Sequence, residues 1–185
     1  MTPNIKYIDV KKIIAESNSR LLKSLPNFIV EIIIRLVGQN EMNRILNKYS
    51  GDIGIDFLPK VIEEFNLTLE IEGVENLPQD GKCFFVANHP FGIIDGLVLT
   101  YIVSHKYGSV KAIANEGFLM IPQLRPLVAA VNVFEHSPRE YLMALEELYK
   151  SEVPITHFPS GEVSRKYFGE VQDAAWQKIP WKNFQ

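Results

Sequence analysis

The run Asn88-His89-Pro90-Phe91-Gly92-Ile93-Ile94-Asp95-Gly96 is the densest cluster of chemically able residues in the chain. An imidazole titrates near neutral pH and can move a proton, and a nearby carboxylate fixes its tautomer and stabilises the charged ring. Gly92 permits a turn that a side chain would forbid, which lets Asp95 come back towards His89. His89 and Asp95 therefore form a candidate proton-transfer pair. The plainer alternative is a strand-end histidine beside an aspartate that caps a helix. A second cluster is Phe158-Pro159-Ser160-Gly161-Glu162-Val163-Ser164-Arg165. Its glycine, hydroxyls and guanidinium suit an anionic headgroup or phosphate, with backbone N–H groups as further donors. Its alternative is a surface turn with a solvated arginine.

Each cluster directly follows an apolar run, and in open α/β sheets ligands collect beyond the carboxyl ends of strands. Cys83–Ala87 reads as a central strand buried on both faces. Val153–Phe158 and Val110–Ala114 read as extended, and so does Val131–Glu135. Residues 95–107, 122–130 and 139–150 read as helical. This alternation predicts an α/β fold, a layered mixed sheet flanked by helices. Leu67, Leu69 and Ile71 alternate with polar residues, predicting a half-buried strand that opens an α/β domain over 67–185.

Residues 1–66 form an N-terminal helical region. Val10, Ile13, Ile14, Leu21 and Leu25 fall near one face, Pro26 breaks the pattern or opens the next helix, and Leu58, Val61, Ile62 and Phe65 recur at helical spacing. No flexible linker separates this region from the remainder. At the other end, Trp176, Trp181 and Phe184 call for a core that no following element completes, so the α/β domain is expected to be C-terminally incomplete.

A chain of 185 residues with 46% hydrophobic and 22% charged residues is long and apolar enough for one globular core. Its net charge of −3, without a basic stripe, argues against nucleic acid as a partner. The single cysteine, Cys83, excludes an intrachain disulfide and fits a reducing compartment. It lies in an apolar strand, where a thiol is inert as a nucleophile. His89, Asp95, His136 and His157 show no zinc-site spacing, so no metal is expected. Residues 28–37 are strongly apolar but interrupted by Glu31 and Arg35, and far short of the ~20 residues that span a bilayer. They either cover the sheet or rest on a membrane surface.

The strand followed by Asn88-His89 and Asp95 resembles the first signature block of the glycerolipid acyltransferase superfamily, which includes the lysophosphatidic acid acyltransferases. Glu72-Gly73 and Glu75-Asn76-Leu77-Pro78 resemble the segment that precedes that block. Phe158-Pro159-Ser160-Gly161 resembles the third block, F-P-E-G-T-R, with Ser160 at the glutamate position. Arg165 matches the arginine once Glu162-Val163 is taken as an insertion. Between His89 and Asp95 lies one residue more than usual. The resulting N-H-P-x-G-x-x-D-G form is similar to a bacterial branch that includes hemolysin-type and amino-acid-lipid acyltransferases. The second block's arginine is missing from Val131–His136, and a fourth block is absent.

The resemblance covers roughly residues 67–165 and implies a glycerol-3-phosphate acyltransferase-like fold. It implies that His89 is the general base on an acceptor hydroxyl and that Asp95 orients it. Asn88, Gly92, Phe158, Pro159, Ser160, Gly161, Glu162 and Arg165 would bind substrate. It further implies an acyl-CoA or acyl-carrier protein co-substrate with no other cofactor, and a lyso-lipid acceptor of phospholipid biosynthesis. The expected place is cytoplasmic and peripheral, at the inner face of the membrane. A non-catalytic peripheral lipid-binding protein, or a thioester or ester hydrolase on the same site, are the alternatives.

Overall fold

The computed structural model describes residues 5–131, 138–167, 170–173 and 175. Helices lead, as the spacing predicts: α1 (Val10–Glu16), α2 (Arg20–Lys23), α3 (Asn27–Leu36), α4 (Gln39–Lys48) and α5 (Phe57–Glu64). The single apolar face expected through Leu25 is not formed. Ser17 closes α1 and Ser19 starts α2, its hydroxyl accepting from the Leu22 N–H at 3.3 Å. Short hydroxyl side chains compete locally for backbone groups, so the helix ends there and only Val10 of the set is buried. Pro26 opens α3.

Ahead of α1, the segment from Ile5 to Val10 lies along α4 and is held by amide side chains one turn apart. Asn47 takes the Ile5 N–H at 2.8 Å and gives to its carbonyl at 2.7 Å. Asn43 does the same for Ile8 at 2.9 and 2.7 Å, and Gln39 accepts from Val10 at 2.8 Å.

The sheet contains β1 (Phe84–Val86), β2 (Lys111–Asn115), β3 (Val128–Val131) and β4 (Ile155–His157), all parallel, in the order β1-β4-β2-β3. Helix α6 (Ile93–Tyr107) joins β1 to β2, and α7 (Arg139–Lys150) precedes β4. Phe85 packs on Tyr107 of α6 while its neighbour Phe84 packs on Tyr149 of α7. Successive strand residues face opposite ways, so the two helices cover opposite faces of the sheet. A separate antiparallel hairpin, β5 (Arg165–Tyr167) and β6 (Glu170–Gln172), follows β4. The layered α/β architecture is the expected one.

Three expected elements differ. β1 lies at the edge of the described sheet, and Phe84 and Val86 are 45% and 43% exposed rather than buried on both faces. An apolar run reports strand tendency but not how many neighbours the strand acquires. Residues 67–70 alternate in exposure, but Ile71 is exposed rather than inward, and the stretch pairs with no strand among the described residues. Residues 122–130 are not an α-helix. Pro122 and Pro126 lack the N–H that a helix interior needs, so Arg125–Leu127 makes one 3-10 turn and Val128–Val131 joins the sheet. Of the extended stretch expected over Val131–Glu135, Val131 is the last residue of that strand and the remainder lies among residues 132–137, outside the described set.

One core cluster joins Leu46 of α4, Leu58 of α5, Leu97 and Val103 of α6, and Leu127 beside the sheet. Outside it, Glu64 fastens α5 to α4. It accepts from Lys48 at 2.5 Å, from Tyr49 at 2.7 Å and from Arg44. Those donors hold its carboxyl down to about 2, with the Lys48 hydrogen bond the largest cause. A depressed carboxylate stabilises the fold above its unfolded pKa, about 4.3, and that contribution is lost as pH falls towards the folded value. The urea midpoint of the wild-type chain should thus exceed that of Glu64→Gln at neutral pH. The gap should close as the pH of the titration is lowered from 5 to 2; a gap independent of pH would remove Glu64 from this role.

Candidate active site

β1 ends at Val86 and β4 at His157, and these two residues pair across the ladder. The chain leaving β1 carries Asn88 and His89, and the chain leaving β4 carries Phe158 to Arg165. Both clusters thus emerge side by side at the carboxyl edge of the sheet. The Phe158 ring stacks on the His89 ring, centroids 4.3 Å apart and planes at 27°. The Ser164 N–H donates to the His89 carbonyl at 3.0 Å.

His89 Nδ1 lies 3.2 Å from Asp95 Oδ2, with both side chains largely buried. The distance is that of an ion pair, yet Nδ1 makes no aligned hydrogen bond. Such contacts are often loose in a free enzyme and tighten around substrate. Gly92 makes the approach possible. At φ +69° and ψ −126° it adopts a backbone open essentially to glycine, turns the chain into α6, and leaves Asp95 in the first helical turn. Asp95 Oδ2 also accepts from the Phe91 N–H at 2.7 Å. The aspartate thus serves the helix start as well as His89, and the plainer reading of it as a cap describes part of its contacts.

Behind His89 opens a cavity of about 320 Å³ whose wall also includes Gly92, Phe158, Gly161 and Val163. Its depth comes from small side chains on β2. Ala112 pairs with Thr156, whose hydroxyl lies 3.3 Å from that of Thr100 on α6, so Ala112 and Ala114 face α6 and leave space beneath it. Leu58, Leu97, Leu124 and Leu127 complete an alkyl lining. The volume is at the lower end for a ligand site, and the lining is predominantly apolar with few polar groups, as such sites are.

Not all the sequence-derived candidates reach this cavity. His89, Gly92, Phe158 and Gly161 line it, and Asp95 backs His89. Pro159 and Ser160 are buried beside it, and the Ser160 hydroxyl donates to the Glu162 carbonyl at 2.9 Å. Glu162 and Arg165 pair with each other at 3.2 Å on the surface, with the arginine side chain 65% exposed. The offset that the Glu162-Val163 insertion introduces places the guanidinium outside the cavity wall. His157 also lines the cavity, and burial holds its pKa below the ordinary histidine value. His136 lies outside the described residues, and among those residues no cluster of His, Cys, Asp and Glu could hold a metal ion. Cys83 is half-buried, and desolvation raises its thiol pKa, followed by the Asp80 charge.

Asp173 was not visible in the sequence as part of the site. One of its carboxylate oxygens accepts from Asn88 Nδ2 at 2.7 Å, and the other accepts from the Ser164 hydroxyl. It ties the loop after β1 to the loop after β4 from the far end of the β5–β6 hairpin. No motif announces it, because its partner Asn88 lies 85 residues away in sequence. Leu58, Asn115 and Phe118 were likewise missed, since they line the cavity as ordinary core and turn residues.

Fold and site together define an α/β protein whose histidine–carboxylate pair opens onto an alkyl-lined cavity. The chain belongs to the acyltransferase family: the family model described as Acyltransferase matches residues 12–184. It is 35% identical over 176 residues to a lyso-glycine lipid O-acyltransferase of Phocaeicola vulgatus, an alignment covering 95% of this chain and 63% of that protein. A lyso-glycine lipid O-acyltransferase of Bacteroides thetaiotaomicron is 33% identical over 172 residues, covering 92% of this chain and 63% of that protein. The chain thus spans less than two thirds of the length of these relatives. No solved structure matches it at a significant level.

Replacing Asp173 by alanine should free the two loops without unfolding the chain, because the residue is exposed. Hydrogen exchange should accelerate at the Ser164 amide while the thermal midpoint stays close to that of the wild type. Unchanged exchange at Ser164 would show that the carboxylate does not hold the loops together.

Proposed function

We propose that the protein is an O-acyltransferase that moves a fatty acyl chain from a thioester onto the hydroxyl of a lyso-lipid. The observation that carries this reading is the His89–Asp95 pair, 3.2 Å apart, at the rim of an apolar cavity that also reaches Gly161. With Nδ1 beside the carboxylate, Nε2 is the nitrogen left for the acceptor. It takes the hydroxyl proton as the oxygen attacks the thioester carbonyl, and Asp95 steadies the imidazolium. The C–S bond then breaks, and the proton passes from the ring to the departing sulfur. Coenzyme A or acyl carrier protein is the proposed carrier of the donor, and the direct mechanism calls for no further cofactor. The names of the relatives support a glycine-containing lyso-lipid as acceptor. Among the described residues the cavity wall carries no lysine or arginine, and Arg165 pairs with Glu162 at the surface, which agrees with an acceptor lacking a phosphate.

The proposed location is the inner, cytoplasmic face of a membrane, with the N-terminal helices in contact with lipid. Helix α3 packs on α1 and α4. It presents Phe28, Ile32 and Leu36 to solvent at helical spacing, and Leu21 is exposed nearby on α2. Exposed Lys12, Arg20, Lys23 and Arg35 stand on the same elements, the pairing of apolar stripe and cations that suits an anionic lipid surface. No helix among the described residues is long and apolar enough to cross a bilayer.

His89→Ala should lower acyl transfer by about 10²–10⁴-fold, the span of general base assistance, with little change in thermal unfolding. Asp95→Asn should be impaired as well. The assay is mass spectrometry of product from the full chain, a panel of acyl thioesters and a lyso-glycine lipid. Full turnover by His89→Ala would sink the assignment, and release of free fatty acid without lipid product would point to a hydrolase. Separately, the wild-type chain should co-sediment with vesicles containing anionic phospholipid, and Ile32→Asp/Leu36→Asp should stay in the supernatant. Equal sedimentation of the two proteins would refute contact through α3.

A further inference from the structure

His157 ends β4, one residue before the Phe158 ring that stacks on His89, and the transfer step proposed above does not use it. It lines the cavity where the carboxyl ends of the strands meet it. Its Nδ1 is buried and makes no hydrogen bond among the described residues. Buried polar atoms in native folds nearly all have partners, and an open one beside a substrate cavity can find its partner in the substrate. Burial lowers the pKa of this ring, so it is neutral at neutral pH. With its one proton on Nε2, the ring presents Nδ1 as an acceptor.

Asn115 stands at the end of the neighbouring strand β2 and lines the same cavity. Lys111 pairs with Ile155 and Ala112 with Thr156, so the register continued sets residue 113 opposite His157. Asn115 follows two residues on, on the same face of the sheet. Such diagonal neighbours can meet one ligand group between them. Asn115 Oδ1 accepts from the Gly117 N–H at 2.8 Å, which fixes the side-chain amide and leaves Nδ2 as its donor. The two residues together offer one acceptor, one donor and no charge.

We propose that His157 and Asn115 form a subsite for a secondary amide of the substrates, His157 taking its N–H and Asn115 giving to its oxygen. The proposal rests on the acyl-transfer reading and adds a polar-group preference to it. Two sources carry that group. One is a lyso-lipid whose fatty chain is joined to the nitrogen of an amino acid; the other is the pantetheine arm that bears the thioester in coenzyme A and acyl carrier protein. An ester in the same place would leave Nδ1 buried and open. A site built to hydrogen-bond its substrate rejects an analogue that lacks the bond.

The test measures kcat/KM of the full chain with two matched pairs of substrates. In the first pair, the acceptor is a hydroxy fatty acid joined to glycine through an amide or to glycolate through an ester. In the second, the donor is acyl-coenzyme A with the pantetheine amide nearest the sulfur intact, or with its N–H replaced by oxygen. With at least one pair the wild-type chain should favour the amide by about tenfold, the order of one hydrogen bond lost from a buried partner. His157→Phe keeps a ring, and Asn115→Asp keeps the oxygen that holds Gly117; each should bring that preference close to one. The pair that responds identifies the substrate whose amide is bound. Asn115→Asp carries the test should His157→Phe not fold. A merely structural role would lower kcat/KM for amide and ester alike and leave their ratio as in the wild type. That result, or a wild type indifferent to both replacements, overturns the subsite while acyl transfer stands. If the wild-type chain transfers to no acceptor, the acyl-transfer reading fails and the subsite fails with it.

Discussion

The pairing of Val86 with His157 is the constraint on which the site depends. Strand β4 inserts between β1 and β2, so the last elements of the sheet to be reached along the chain close a gap left by the first. Because all four strands run parallel, the segments that leave β1 and β4 emerge at the same edge and next to each other. That adjacency brings residue 89 against residue 158. The ring stack, the Ser164 N–H on the His89 carbonyl and the Asp173 bridge are local consequences of that adjacency. A sheet ordered as the chain is ordered would separate the clusters by the width of two strands.

Volume is the second determinant. Alanines at 112 and 114 face α6, where bulkier aliphatic side chains would fill the layer. The space is closed from the other side by Leu58, so the N-terminal helices take part in shaping the cavity. The polar side chains of the described lining are His89, His157 and Asn115 at the strand ends and the Thr100–Thr156 pair, whose hydroxyls lie 3.3 Å apart. The division is between one end that can move a proton and a body that can only exclude water. It follows from where the strands stop rather than from any single motif.

Much of this was legible in the sequence, for physical reasons that differ by element. The helices at 93–107 and 139–150 and the strands near 110–114 and 153–158 have flanking turns and apolar spacing that agree with their tertiary setting. The nearness of His89 and Asp95 could be anticipated because Gly92 lies between them and the span is one turn. The failures arise where local pattern and long-range pairing diverge. Leu67–Ile71 has strand alternation but no partner among the described residues, and Val128–Val131 has two alanines that suit a helix yet lie in a ladder with β2. Burial of β1 was overestimated because its neighbours are fixed by sheet order, which no window of sequence contains. Arg165 was aligned by motif, and the two extra residues before it carry the side chain to the surface. Asp173 depends on a hairpin fold-back and leaves no local trace.

The amide groups of Gln39, Asn43 and Asn47 have a consequence for the leading segment of the chain. They engage main-chain N–H and C=O groups of Ile5, Ile8 and Val10, and so read the path of the peptide rather than its side chains. Most exchanges of side-chain identity at these three positions leave the rungs intact. Proline is the exception at each of them, because it would silence the very N–H that the helix has been built to receive.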